Sequence, residues 1–168
     1  IDNYIRQDGL TYRFVPVLNS QVNNDWAYDK MTTKFKFGNA NVPGVYFDEE
    51  NRRHLNSIRL AYAQVAGSLA DKGEKDKAKK MLNQCDQMML EENLTYGMVS
   101  RREQHNSFSL QMLIAAYKAG DTALADKITK SVKKDLDQSM NYLTNLSDNK
   151  QEGMQTEIQD VQRLQMGI

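Results

Sequence analysis

Between Leu55 and Leu90 apolar residues recur at steps of three and four: Leu55, Ile58, Tyr62, Val65 and Leu69 before Gly73, then Ala78, Met81, Leu82, Cys85, Met88 and Met89 after it. That period gathers apolar side chains on one helical face and leaves the other wet. The stretch therefore predicts two amphipathic helices closed by a glycine turn. Asp48, followed by two glutamates, is suited to cap the first helix and to match its dipole, so that helix is expected to run to Lys72. Glu91 to Tyr96 reads as a connection. A third helix is written by Phe108 to Tyr117, apolar nearly all round, and is expected to be central. Gly120 and Asp121 supply the next turn and cap. A long helix follows with the stripe Ala125, Ile128, Val132, Leu136 and Leu143, then a break at Ser147 to Lys150 and a closing helix bearing Met154, Ile158, Val161 and Leu164.

Residues 1–48 lack this periodicity and hold Trp26, Phe14, Phe35, Phe37, Phe47 and both prolines. Leu10 to Leu18 alternates, with Tyr12 and Phe14 on one side, which predicts a strand limited by Pro16. Asn19 to Asn24 reads as a loop. Asp25 is placed to cap a short helix from Trp26 to about Phe37, ended by Gly38 and Asn39, and Asn41 to Val45 reads as a turn. Such an aromatic-rich arm is expected to pack on the helices, with Tyr12, Trp26 or Tyr46 as alternatives for lining a groove. The expected architecture is mainly α, with about five helices. Hairpins at 49–90 and 105–146 and a closing helix at 152–166 make up a 49–168 region, behind an irregular 1–48 arm that includes a short strand.

The two hairpins echo each other. Leu69-x-x-x-Gly73 with Ala78 is repeated as Ala116-x-x-x-Gly120 with Ala125, an offset of 47 residues. Small residues at Ala66, Ala78, Cys85 and Ala125 suit closely approaching helices. The pair resembles tetratricopeptide-type units, whose usual period of about 34 residues leaves roughly 13 extra between units here. Leu90 replaces the usual closing proline, and the arm and closing helix are expected to complete the burial that two units lack.

The 168 residues hold 22 Lys plus Arg and 22 Asp plus Glu, so no global field favours nucleic acid or an anionic membrane surface. The single cysteine, Cys85, rules out an intramolecular disulfide and sits where a small hydrophobe would serve. No run approaches the roughly 18 to 20 apolar residues of a membrane span. The chain begins at Ile1 in polar sequence, which leads to the expectation of a piece cut from something longer.

Candidate chemistry is sparse. His54 and His105 lie far apart without a metal-ligand spacing and read as exposed or capping side chains; no metal or cofactor is expected. Asp48 to Glu50 and Glu91 with Glu92 read as helix-start charges rather than a converging acid and base. The serines lack a nucleophile elbow, and no glycine-rich phosphate loop is present. Asn93-Leu-Thr95 and Asn145-Leu-Ser147 match a glycan acceptor pattern but carry no weight here. Arg52, Arg53 and Arg59 with Arg101 and Arg102 are candidates for one rim of a groove, against the alternative of solvated helix faces. The binding candidates are Trp26, Arg59, Tyr62, Arg102 and His105; none is assigned to catalysis.

Four motifs in order carry a further resemblance: Leu10-Thr-Tyr-Arg-Phe-Val-Pro16; Tyr28-Asp-Lys-Met31 with Lys34-Phe-Lys-Phe-Gly-Asn39; Pro43-Gly-Val-Tyr-Phe-Asp48; and Arg59 to Ala70. Together they resemble the C-terminal soluble region of the Gram-negative membrane-protein family catalogued as domain of unknown function 2723, which is similar to protein O-mannosyltransferases of the GT-C architecture. The resemblance implies a periplasmic, non-catalytic helical domain tethered through a preceding multi-pass membrane part, serving as scaffold or holding an acceptor polypeptide or the enzyme's own membrane region. Catalytic acidic residues of such enzymes lie in the membrane part, and none maps onto this chain. The rival expectation is a free-standing tetratricopeptide-like adaptor that binds a peptide or protein in its concave face. A self-sufficient hydrolase or transferase has the least support.

Overall fold

The structure is a computed structural model that describes residues 4–16 and 22–168. It is mainly helical, with a short strand pair at the front. β1 (Ile5–Asp8) and β2 (Thr11–Phe14) form an antiparallel hairpin in the register Ile5–Phe14, Arg6–Arg13, Gln7–Tyr12 and Asp8–Thr11. Its two-residue turn places Gly9 at φ +64°. A Cβ at Gly9 would sit 3.2 Å from the Trp26 ring and 3.3 Å from Phe35, so the glycine also lets the hairpin settle on the arm. The strand expected over Leu10 to Leu18 is thus half of a hairpin ending at Phe14. Val17, Leu18 and the expected loop residues 19–21 lie outside the described residues.

α1 (Asn24–Thr33) begins two residues before and stops four before the expected Trp26–Phe37 helix, and Asn23 rather than Asp25 holds the N-cap position. Two causes act together at its C-terminal end. Thr32 and Thr33 turn their hydroxyls back onto the Tyr28 and Asp29 carbonyls at 2.6 Å. Phe37 must also leave the helix axis to reach the interior, where its ring packs 5.6 Å from that of Tyr62. Gly38 and Asn39, both at positive φ, make the bend.

α2 (Glu49–Asp71) starts at Asp48, whose carboxylate accepts from the Asn51 N–H at 2.8 Å. α3 (Lys75–Met88) returns antiparallel to it. α4 (Gln104–Ala119) and α5 (Thr122–Thr144) form the second hairpin, with Asp121 capping α5 through the Leu124 N–H. Both turns close in the same way. The Glu74 N–H donates to Leu69 O at 2.9 Å and the Asp121 N–H to Ala116 O at 2.8 Å, around Gly73 at φ +85° and Gly120 at φ +74°. This is a paired glycine C-cap whose left-handed residue suits an achiral position.

α4 packs on α2, α3 and α5, which makes it central as expected. It is not buried all round: Ile114 and Tyr117 remain exposed. The expected break at Ser147 to Lys150 is instead the start of a short helix, α6 (Asp148–Gly153), and α7 (Gln155–Gln165) then packs on α5. The buried core includes Ala27, Met31, Phe37 and Ala40 of the arm together with residues of every helix from α2 to α5 and α7. Polar bonds stitch the arm to later chain. The Tyr62 hydroxyl donates to Met31 O at 2.5 Å, and Gln84 donates to Thr32 O at 2.9 Å. Leu90 N–H and the Asn93 side chain donate to Ala40 O at 3.0 and 2.9 Å.

Candidate functional site

The most unusual chemistry surrounds the segment that joins the two hairpins. Residues 89–103 contain no α-helix, yet Leu94 and Tyr96 have no exposed surface. Backbone buried outside regular structure needs partners for its polar groups, and side chains from three helices provide them. Arg59 of α2, 1 % exposed, donates from Nη2 to Leu94 O at 2.8 Å and from Nη1 to Thr95 O at 3.1 Å. Its guanidinium stacks 4.2 Å from the centre of the Tyr96 ring. His105 Nε2 donates to Thr95 O at 2.8 Å, which defines its neutral tautomer. Ser109 of α4 donates to Tyr96 O at 2.7 Å, and Ser131 of α5 accepts from the Gly97 N–H at 3.0 Å.

Electrostatics follow from burial. His105 is pushed down to about 4, first by burial and further by the cations Arg59 and Arg52, against the opposing hydrogen bond to Thr95. It is therefore neutral at pH 7. Burial holds the Tyr96 phenol protonated, and its hydroxyl donates to Asp86 Oδ1 at 2.9 Å, the same oxygen that takes Lys127 Nζ at 2.6 Å. Cys85, beneath this network, is pushed up to about 12 by burial, so it stays a thiol and not a nucleophile.

Gly97 marks the tightest approach. A Cβ there would lie 2.1 Å from Ser131 O and 2.9 Å from Asp135 Cβ, so no side chain fits between the connection and α5. Beyond it Arg102 and Glu103 both adopt φ +53°, a left-handed conformation uncommon for residues with a Cβ. The Glu103 carboxylate is buried and receives Asn106 Nδ2 at 2.6 Å; the same amide donates to Asp135 at 2.8 Å. Burial raises the Glu103 carboxyl, and Asp135 and Asp160 raise it further, against the hydrogen bond from Asn106.

These placements sort the sequence candidates. Arg59 and His105 converge on Thr95 O, inside the protein, while Tyr62 is fully buried with its hydroxyl on the arm. Trp26 is 40 % exposed and packs against Gly9; Arg102 is exposed. His105 is thus neither exposed nor a cap, whereas His54 is exposed and pairs with Glu50 at 3.1 Å. The arginine rim divides: Arg53 pairs with Glu50 at 2.7 Å on the surface, Arg59 is interior, and Arg52 is half-buried on the His105 side. Tyr96, Asp86 and Lys127 were not singled out from the sequence.

A second feature is open to solvent. α2 and α4 leave a groove of about 370 Å³ between them, with Gln64, Gly67 and Asp71 on one wall, Gln111, Ile114 and Lys118 on the other, and Gln7 of β1 at its side. Among the described residues no set of three or more His, Cys, Asp and Glu side chains is gathered for a metal, and no helix is long and apolar enough to cross a membrane. No protein-family model matches the chain, and neither a curated protein nor a solved structure matches it.

Proposed function

We propose that this chain is a non-catalytic helical module of a glycosyltransferase-like multi-pass membrane protein, placed at the periplasmic face, where it serves as scaffold or holds an acceptor polypeptide. The ordered motifs from Leu10 to Ala70 support the membrane-protein assignment. The observation that carries the non-catalytic reading is the use made of Arg59 and His105: both are committed to the Thr95 carbonyl. A buried neutral histidine held on a backbone oxygen positions chain rather than moving protons. The test is the coding sequence upstream of Ile1 combined with a topology reporter fused after Ile168. Several membrane spans and a periplasmic reporter signal are expected; an upstream sequence without membrane spans overturns the assignment. The second reading, a free-standing adaptor, is favoured by the α2–α4 groove, which offers a partner an open surface made from both hairpins.

A further inference from the structure

The 47-residue offset that relates Gly73 to Gly120 also relates the two walls of the α2–α4 groove. Gln64 corresponds to Gln111, Gly67 to Ile114 and Asp71 to Lys118, and all six line the same hollow. Equivalent positions of the two hairpins thus present the same amide, a complementary charge pair, and a gap facing an apolar side chain. Lys118 and Asp71 meet at 2.8 Å and neutralise each other. Gln7 Nε2 donates to Gln64 Oε1 at 2.9 Å, which occupies Gln64's acceptor and leaves its own amide protons for an occupant. The Gln111 side chain is exposed and makes no hydrogen bond among the described residues.

Gly67 is the least expected residue of α2. Glycine in a helix interior weakens it relative to alanine, and nothing lies within 4 Å of where its Cβ would stand. Packing does not require it. What the missing side chain does is deepen the groove opposite Ile114, which is 48 % exposed.

We propose that this groove binds an extended polypeptide segment lacking charged side chains, held through its main chain by Gln64 and Gln111, with one apolar side chain seated over Gly67 against Ile114. The dimensions agree: packed helices stand about 8–10 Å apart, and three residues of extended chain span roughly 10 Å. Two equivalent amides on facing walls can therefore address peptide groups a few residues apart, Gln64 as a donor to a carbonyl and Gln111 as both donor and acceptor. Charge points the same way, because Asp71 and Lys118 are already paired and a charged side chain entering the groove would lose water without gaining a partner. The inference deepens the partner-binding part of the function proposed above and does not depend on membrane attachment.

The test uses the 168-residue chain and fluorescein-labelled, end-capped nonapeptides of Ser, Thr and Gly whose central residue is Leu, Phe, Ala, Glu or Lys, with binding read by anisotropy. Leu or Phe should bind at least ten-fold more tightly than Ala, Glu or Lys. Gly67→Leu, which fills the hollow, should weaken binding at least ten-fold while leaving the helical circular dichroism and cooperative melt in place. Gln64→Ala and Gln111→Ala should each weaken all peptides alike, by about three- to ten-fold as expected for one hydrogen-bonding group. Absence of binding by every peptide, equal binding of Glu or Lys, or unchanged binding by folded Gly67→Leu overturns the proposal. An upstream sequence without membrane spans would remove the membrane assignment and leave this result standing.

Discussion

Replacing Arg59 by Met keeps most of the volume and removes the guanidinium, so it measures what that group does for the connection. Leu94 O, buried, loses its one donor among the described residues, which costs about 1–3 kcal/mol. Thr95 O keeps His105 and loses one bond, worth about 1 kcal/mol. Loss of the stack on Tyr96 adds roughly 0.5–2 kcal/mol. Against these, the variant no longer buries a cation whose Nε has no partner, and that relief amounts to a few kcal/mol. The net expectation is about 0.5–3 kcal/mol of destabilisation in urea unfolding at pH 7, within the usual range for a single destabilising substitution. Arg59→Lys should be no milder, because an ammonium cannot span both carbonyls or lie flat on the ring. Limited proteolysis supplies a local readout: cleavage between Leu90 and Arg101 should accelerate in both variants. A variant within about 0.5 kcal/mol of the parent, with the connection still resistant, would refute the idea that Arg59 holds this segment.

Gly97→Ala forces the connection and α5 apart, because its methyl would stand 2.1 Å from Ser131 O; a loss of about 1–3 kcal/mol in chemical denaturation and faster exchange of the Gly97 amide are expected. His105, pushed down to about 4 from an ordinary 6.5, binds its proton more weakly folded than unfolded, so its contribution is complete above pH 6.5 and falls as pH drops toward 4. Thermal melts should lose up to about 3 kcal/mol of stability across that window, and His105→Gln should flatten the slope. Glu103 has the opposite sign: its carboxyl is raised, so the charged form costs stability at neutral pH. Glu103→Gln should melt higher at pH 7 and lose that advantage at pH 4, and an equal or lower melt at pH 7 would contradict it. Gly67→Ala should raise stability by about 0.5–1 kcal/mol in urea unfolding, since the methyl has open space and a better helix former replaces a poor one.

Both hairpins were readable because their determinants are local: Gly73 and Gly120 end α2 and α4 by backbone conformation, and Asp48 and Asp121 cap α2 and α5. Arg59 was harder. It falls on the spacing Leu55, Arg59, Tyr62, Ala66, Leu69, inside the apolar stripe rather than beside it, and a charge in that register signals a buried cation instead of a groove rim. The connection was the least legible part, because Leu94 and Tyr96 are buried without helical or strand periodicity to advertise them. Their hydrogen-bond partners Asp86, Ser109 and Arg59 lie from 10 to 35 residues away along the chain. The early end of α1 has the same origin, since Phe37 leaves the helix for a ring on α2. For the groove, the repeat was visible, but the depth given by Gly67 appears only once both helices are in place.

The bonds from Asn93 and Leu90 back to Ala40 set a schedule for how the molecule is made. A ribosome adds about 5–20 residues each second, and 53 residues separate Ala40 from Asn93. For roughly 3–10 s on every new chain, the arm exists before the segment that fastens it. Met31 and Phe37, destined for burial, meet Tyr62 partway through that interval, but the arm is fastened at Ala40 only at its end. Slower translation between residues 40 and 93 lengthens the interval before that fastening, so synonymous changes there should alter aggregation during synthesis without altering the finished protein.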